Sequence, residues 1–303
     1  MRQAHHDALY VTNPRPLEPT LPPVSEHLSA QGDRPLREVV WEPRHRRVLE
    51  DPAWRDFVAR DPHPLPGLPD RDHYFGDRHL EYWISGLSDA RDALAAVEQH
   101  GAPLPPDARV VDLGGSSGRF LRHFLYLRPS FELACADIHD VGVRWIQQHL
   151  PQILGLHTLT IPHLPFEDNS VDLLTAFSVF THIDVFEITW LMELKRILKP
   201  GGVAYLTFHS ERLWSKLEPG HFIYDYLVEA QSGESDHAPS EALFRAPMPT
   251  SRVAFRTGGD LANMANIFHR DAHICSVWGR VFDCREIIPR GHVFQDVAVL
   301  VKR

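Results

Sequence analysis

The chain has 303 residues, more than one compact domain usually holds, which points to a large domain with additions. It is 43% hydrophobic and 23% charged, which excludes a disordered or fibrous chain. Its 31 Lys and Arg face 40 Asp and Glu, a net charge of −9, so it lacks the basic footprint of a duplex nucleic-acid binder.

The start, "MRQAHHDALYVTNPRP", lacks the apolar stretch of a secretory signal, and no apolar run reaches the roughly 20 residues of a membrane helix. Cys135, Cys275 and Cys284 have no metal-type spacing and read as thiols of a reducing compartment. The expectation is a cytoplasmic protein with no membrane partner. Residues 1–37 are rich in Pro and polar residues and predict a flexible arm. Residues 38–101 predict a helical extension or cap. It ends in "LEYWISGLSDARDALAAVEQHG", whose apolar residues recur at helical spacing and stop at Gly101. The "RHRR" run, Arg44 to Arg47, reads as a solvated face.

From Arg109 strands and helices alternate. "ARVVDLG" is a first strand and "GRFLRHFLYLRP" a helix; "FELACADI" is a second strand and "VGVRWIQQHLP" a second helix. "LHTLTIP" and "SVDLLTAFSVF" follow as strands. In "DVFEITWLMELKRIL", Val185, Ile188, Leu191, Leu194, Ile197 and Leu198 share one face, and "KPGG" ends that helix before the strand "VAYLTFH". Residues 210–270 break the alternation and read as a substrate-side insertion. "HICSVWGRVFDCREIIP" and "QDVAVLVKR" then predict an antiparallel hairpin turning at Gly291. The fold class is α/β, with residues 102–303 forming a doubly wound, mostly parallel sheet of seven strands closed by the C-terminal hairpin.

The turn "VVDLGGSSGRF" carries the chemistry. Gly114, Gly115 and Gly118, with Ser116, follow an acid at the end of the first strand, where open α/β sheets bind ligands. Glycine allows positive φ and lets a ligand approach the backbone. Asp112 before the glycines is poorly matched to a pyrophosphate and well matched to an ammonium group. Asp137 lies 25 residues further on, close to the ~20-residue offset at which an acid reaches ribose hydroxyls, and Ile138 beside it is placed to lie on an adenine face.

"VVDLGGSSGRF", "ADI", "LPFEDNSVDLLTAFSVFTHI" and "ELKRILKPGGVAYLTF", in that order, resemble the class I S-adenosylmethionine-dependent methyltransferases over about Arg109 to Phe208. Some stretches are similar to bacterial small-molecule or sugar methyltransferases. The resemblance implies S-adenosylmethionine as cofactor, with Asp112 and Gly114 to Gly118 at its methionyl end, Asp137 on the ribose, and Phe177 and Ser178 near the sulfonium. It implies methyl transfer to a small-molecule or sugar acceptor, with a hydroxyl oxygen favoured. Two departures stand out: Ser116 replaces the middle glycine of the family turn, with Gly115 displaced by one, and Thr160 stands where an adenine-binding acid is common. His182 is the first candidate base, with Asp184 as its orienter or a helix cap, and His209 is the second; His221, His269 and His273 rank lower. No metal is expected. Tyr74, Phe75, Tyr82 and Trp83 either cap the cofactor cleft or pack a helix on the sheet. The alternatives are a non-catalytic S-adenosylmethionine-binding module and an NAD-linked oxidoreductase, the latter opposed by Asp112 and by the absence of a Tyr-x-x-x-Lys pair.

Overall fold

The strand–helix alternation read from Arg109 onward is present in the computed structural model, which describes residues 15–32, 34–230, 239–256 and 265–303. Among the described residues nine strands are found where seven are expected; the two extra ones lie inside the insertion. Contacts divide the chain into two units, Met1–Leu94 with Pro105–Leu159, and Ala95–Leu104 with Thr160–Arg303.

In the first unit, β1 (Arg109–Leu113), β2 (Glu132–Asp137) and β3 (Ile153–His157) pair in parallel in the order β3-β2-β1. In β1 and β2 every residue after the first is buried, and such unbroken burial means both faces are covered. The long helix α1 (His79–His100) contributes Leu80, Trp83, Ile84 and Leu87 to a core shared with Val24, Val40, Val48, Trp54 and Val58.

That core revises the N-terminal expectation. The described part of the arm is packed: Val24–Ala30 is a helix with Val24 buried, and Leu21 pairs with Leu65. Proline punctuation limits regular structure there, yet the spaced apolar residues still have a hydrophobic partner in α1. By its contacts the described N-terminal segment belongs to one unit with the first three strands. Arg44 and His45 are likewise buried. Arg44 pairs with Asp89 (2.5 Å) and Asp92 (2.6 Å), and His45 with Glu81 (3.2 Å), all acids of α1.

In the second unit, β4 (Val171–Ala176) runs parallel to β5 (Leu198–Ser210), and β5 also pairs antiparallel with β9 (Gln295–Val301), itself paired with β8 (Asp283–His292). The hairpin turns at Val293 and Phe294, and Gly291 is still in the strand. The first half of the segment expected as a strand is instead a helix, α5 (Asp271–Ser276), followed by a 3-10 turn; Ile274, Trp278 and Phe282 are buried at intervals of four, a helical period.

The helix before β5, α3 (Glu187–Ile197), buries Glu187, Trp190, Leu191, Leu194 and Ile197, whereas Val185 and Ile188 are exposed. Its buried stripe is thus turned from the face expected. In the insertion, β6 (Arg252–Arg256) pairs antiparallel with β7 (Ala265–His269), and β7 is parallel to the end of β5. Trp214, Phe244, Phe255 and Phe268 give this addition its own aromatic core. Residues 231–238 and 257–264 of the insertion, and 1–14 of the expected arm, lie outside the described residues.

Candidate active site

The first unit brings Asp112, the glycine-rich turn, Asp137 and Ile138 together. Asp112 pairs with Cys135 in the β1–β2 register, so the two strands end side by side and their following residues share one edge. Gly114 and Gly118 have φ of 71° and 78°, the left-handed region that glycine enters without strain. Gly115 is needed for a different reason. A Cβ there would lie 2.6 Å from Asp112 Oδ2 and 2.8 Å from Cys135 Sγ, so its hydrogen is what lets the turn close over the strand ends.

Ser116, which stands where the family turn has its middle glycine, lies in the left-handed region with φ of 47°. Its side chain does not displace the backbone: its N–H donates to Asp137 Oδ2 at 2.7 Å. The turn is braced from the far side by Gly142 of helix α2 (Asp140–His149), where a Cβ would lie 2.6 Å from the Ser116 carbonyl carbon.

Asp137 is buried, and its Oδ1 accepts from the His139 N–H at 2.8 Å. Each oxygen thus has one backbone donor and retains a lone pair for a ligand hydroxyl. Burial raises its pKa, the two backbone N–H groups opposing only in part. Asp112 is buried as well, and Cys135 between them is held as a neutral thiol by burial and by the charges of Asp137 and Asp112. Gly114, Gly115, Ser116 and Ile138, by contrast, are only half-buried, so the backbone of the turn reaches the surface.

Two buried carboxylates beside an accessible left-handed turn fit a ligand bearing an ammonium and a hydroxyl pair, and oppose a pyrophosphate. The residues present therefore fit S-adenosylmethionine. The helix expected after the turn is short, a 3-10 turn Leu121–His123 and a helix Phe124–Leu127, so no long helix N-terminus faces this edge.

The N-terminal aromatics differ in what they contact. Trp83 is fully buried and donates from Nε1 to Asp61 Oδ2 at 2.7 Å, a packing role. Tyr82 is buried too, but its hydroxyl hydrogen-bonds the Ser117 hydroxyl at 3.3 Å, inside the glycine-rich turn. Before it, Asp72, His73 and Phe75 all have positive φ, and the Arg119 guanidinium lies over the Tyr74 ring. Nothing in the spacing of these residues announced the Tyr82–Ser117 bond.

The second unit holds Phe177, Ser178, His182 and His209. Phe177 follows β4, with its ring centroid 5.0 Å from that of His292. Ser178 has φ of 59°; its N–H donates to Thr207 Oγ1 (2.7 Å), and its hydroxyl accepts from Gln295 Nε2 (2.9 Å). His182 is exposed, and its Nδ1 donates to the Ala265 carbonyl at 2.8 Å, which leaves Nε2 as the acceptor nitrogen of the neutral ring. Asp184 neither orients His182 nor caps the helix: it binds Arg252 (2.9 Å) and Arg256 (2.8 Å).

His209 is buried against Phe268, with Gln295 Nε2 3.5 Å from its Nε2; burial, then the neighbouring His182, His269 and His221, keep it uncharged. His221 Nδ1 accepts from the Ile223 N–H at the start of helix α4 (Phe222–Glu229), a capping role. The Thr160 carbonyl accepts from Trp190 Nε1 (3.2 Å).

His269 and His273 belong to a hub that sequence reasoning missed. Both donate from Nε2 to Glu187, at 3.0 and 3.2 Å, together with Trp278 Nε1 (2.7 Å) and Arg252 Nε (2.7 Å). Among the described residues this is the group whose His and carboxylate atoms are close enough for a metal ion. The guanidinium on the same carboxylate oxygen as His269 opposes a cation there.

Residues 111–206 match the model of a methyltransferase-domain family. A malonyl-[acyl-carrier protein] O-methyltransferase of Methylococcus capsulatus is 33% identical over 112 residues, 36% of this chain and 40% of that protein. The chain thus matches about two fifths of the length of that curated relative. Among solved structures, a 1,6-didemethyltoxoflavin-N1-methyltransferase of Burkholderia thailandensis aligns over 97% of both chains at 12% identity, with a TM-score of 0.47. A Haloferax volcanii chain from a complex of the Trm112 activator with a methyltransferase covers 73% of this chain and 97% of its own length at 17% identity, with the same TM-score, 0.47. No helix among the described residues is long and apolar enough to cross a membrane. The family match falls on the acid–glycine turn, the Asp137 strand and the KPGG strand, and it marks residues 111–206 as a methyltransferase domain.

Proposed function

We propose that the chain transfers the methyl group of S-adenosylmethionine to a hydroxyl oxygen of a small molecule or glycan by in-line displacement. The observation that carries this reading is the pair of buried carboxylates, Asp112 and Asp137, beside the accessible Gly114–Ser116 backbone. Bound S-adenosylmethionine supplies a methyl group on a positively charged sulfur. Asp112 attracts the ammonium of the methionyl end. Asp137, its two oxygens oriented by Ser116 and His139, accepts from the ribose hydroxyls. Ile138 offers an apolar face to the adenine. Phe177 supplies an apolar side chain near the reacting sulfur and helps exclude water.

His182 is the base of this reading. Donation from Nδ1 to Ala265 fixes the tautomer, and Nε2 then takes the proton that the acceptor hydroxyl loses as the oxygen–methyl bond forms. His209 is set aside as a base because its ring is enclosed beside Phe268, and it packs the end of β5 instead. The 210–270 insertion, with its separate aromatic core, is assigned to acceptor selection.

The test is calorimetric titration with S-adenosylmethionine, S-adenosylhomocysteine and NAD, followed by an acceptor screen. Binding of both adenosyl ligands with no response to NAD is expected. NAD binding overturns the reading in favour of an oxidoreductase, and adenosyl binding with no turnover across the screen in favour of a binding module. His182→Ala should keep adenosyl affinity within about twofold while lowering kcat by about 10²-fold or more. Full activity across pH in that variant removes His182 from the mechanism.

A further inference from the structure

Two of the three cysteines lie together outside the site described above. Cys275 is in the last turn of α5 and exposed; Cys284 is the second residue of β8 and half-buried; their sulfurs are 3.8 Å apart. A disulfide bond measures about 2.05 Å, so less than 2 Å of relative movement separates the thiols from bonding. The pairing of β8 with β9 is irregular between Cys284 and Glu286, where the strand can yield. We propose that Cys275 and Cys284 form a dithiol that closes reversibly to an intramolecular disulfide when a hydroperoxide oxidises it.

The order of events follows from exposure. Cys284 is the less reactive sulfur: burial, then the neighbouring Cys275, push its pKa up to about 12, so it is protonated at neutral pH. Cys275 meets the oxidant first. Its sulfur attacks the peroxide oxygen, the O–O bond breaks, and a sulfenic acid and an alcohol (water, for hydrogen peroxide) result. The Cys284 sulfur then attacks the sulfenic sulfur. The S–S bond forms, the S–O bond breaks, and hydroxide leaves as water with the Cys284 proton. Two electrons pass from the two thiols to one hydroperoxide, and a thiol reductant returns them.

The disulfide closes a ring around residues 275–284, which contains Trp278, one of the four donors to Glu187. The modification therefore clamps the segment that fastens α5 and the following turn to α3. Cys135 is an internal control: it is buried beside the glycine-rich turn and inert by the same criteria. The proposal does not depend on the methyl-transfer reading.

The experiment treats the full chain with hydrogen peroxide and reads intact mass under non-reducing conditions, with peptide mapping. Expected are a loss of about 2 Da, a Cys275–Cys284 linked peptide, an unmodified Cys135, and full reversal by dithiothreitol. Cys284→Ser should abolish the mass loss and leave Cys275 trappable by dimedone, and Cys275→Ser should slow all oxidation at least tenfold. Overoxidation of wild-type Cys275 without the linked peptide, a disulfide-linked dimer through Cys275, or first reaction at Cys135 overturns the proposal.

Discussion

Gly115→Ala isolates the contact on which the packing of the glycine-rich turn depends. Gly115 is not among the residues with positive φ, so alanine is allowed by the backbone and its cost is steric. The new methyl carbon would stand 2.6 Å from Asp112 Oδ2 and 2.8 Å from Cys135 Sγ. Ordinary contacts of these kinds are about 3.5 Å or longer, so overlap approaches 1 Å on two buried atoms. Overpacking of this degree costs about 1–3 kcal/mol. If the turn absorbs it, the melting temperature falls by roughly 2–12 °C at about 2–4 °C per kcal/mol. If the Asp112 carboxylate yields instead, the same energy appears as a loss of about 5- to 150-fold in affinity for S-adenosylhomocysteine. Calorimetric titration and thermal melting of one preparation read both. Adding Cys135→Ala removes the 2.8 Å contact and leaves the 2.6 Å one, so the double variant should recover only in part. Unchanged affinity together with unchanged melting in Gly115→Ala would refute the packing of Asp112 beneath the turn.

Ser116→Gly should keep adenosyl affinity and change stability by no more than about 1 kcal/mol, because relief of a left-handed residue is offset by the greater freedom of glycine when unfolded; chemical denaturation checks it. Asp137 has a folded-state pKa above its ordinary 3.8, so its ionisation costs the folded chain stability as pH rises through that window; ligand binding needs the carboxylate, and adenosyl affinity should fall on acidification at a higher pH than for an ordinary Asp. Asp137→Asn should bind at least about tenfold more weakly and lose that pH dependence, as read by titration from pH 8 to 5. At Glu187 burial alone would raise the pKa, but hydrogen bonds from His269 and His273 and the Arg252 charge outweigh it and hold the carboxyl below the usual range. Its contribution is therefore present above the ordinary value of 4.5 and lost as pH falls below it; Glu187→Gln should cost about 3–5 kcal/mol at pH 7 and flatten the acid limb of the melting curve.

Asp112, Gly114, Gly118 and Asp137 were legible in the sequence because their spacing is fixed by local geometry: a strand, a turn over its end, and a neighbouring strand ending in register. What escaped depends on partners distant along the chain. Arg44 and His45 look solvated beside other basic residues, and only α1, 45 and 36 residues on, supplies Asp89 and Glu81. His269 and His273 read as weak base candidates because their carboxylate, Glu187, lies 82 and 86 residues earlier. The segment from His273, expected as a strand, is helical in its first half because Ile274, Trp278 and Phe282 follow a four-residue apolar period. The middle of the turn fell between these cases: the sequence exposed the exchange of glycine for serine, but not whether the backbone would follow.

The backbone does follow, and the displaced glycine explains why. The middle position of this turn is a left-handed residue. Here Ser116 supplies that conformation at φ 47°, and serine permits it at a cost of about 1–2 kcal/mol. Its N–H bond to the buried Asp137 carboxylate, charge-assisted and 2.7 Å long, is of the kind that contributes a comparable amount. The requirement for a missing side chain moves one residue back, where Asp112 and Cys135 fill the space a Cβ would take. Glycine is thus needed at 115 for packing and at 114 and 118 for conformation, while 116 needs only a residue small enough to pass over Gly142 and free enough to turn left-handed. Asp137, with one backbone donor on each oxygen, keeps a lone pair on each for a hydroxyl pair. On this reasoning the serine leaves the site competent, and a substitution at Gly115 is the change that should disable it.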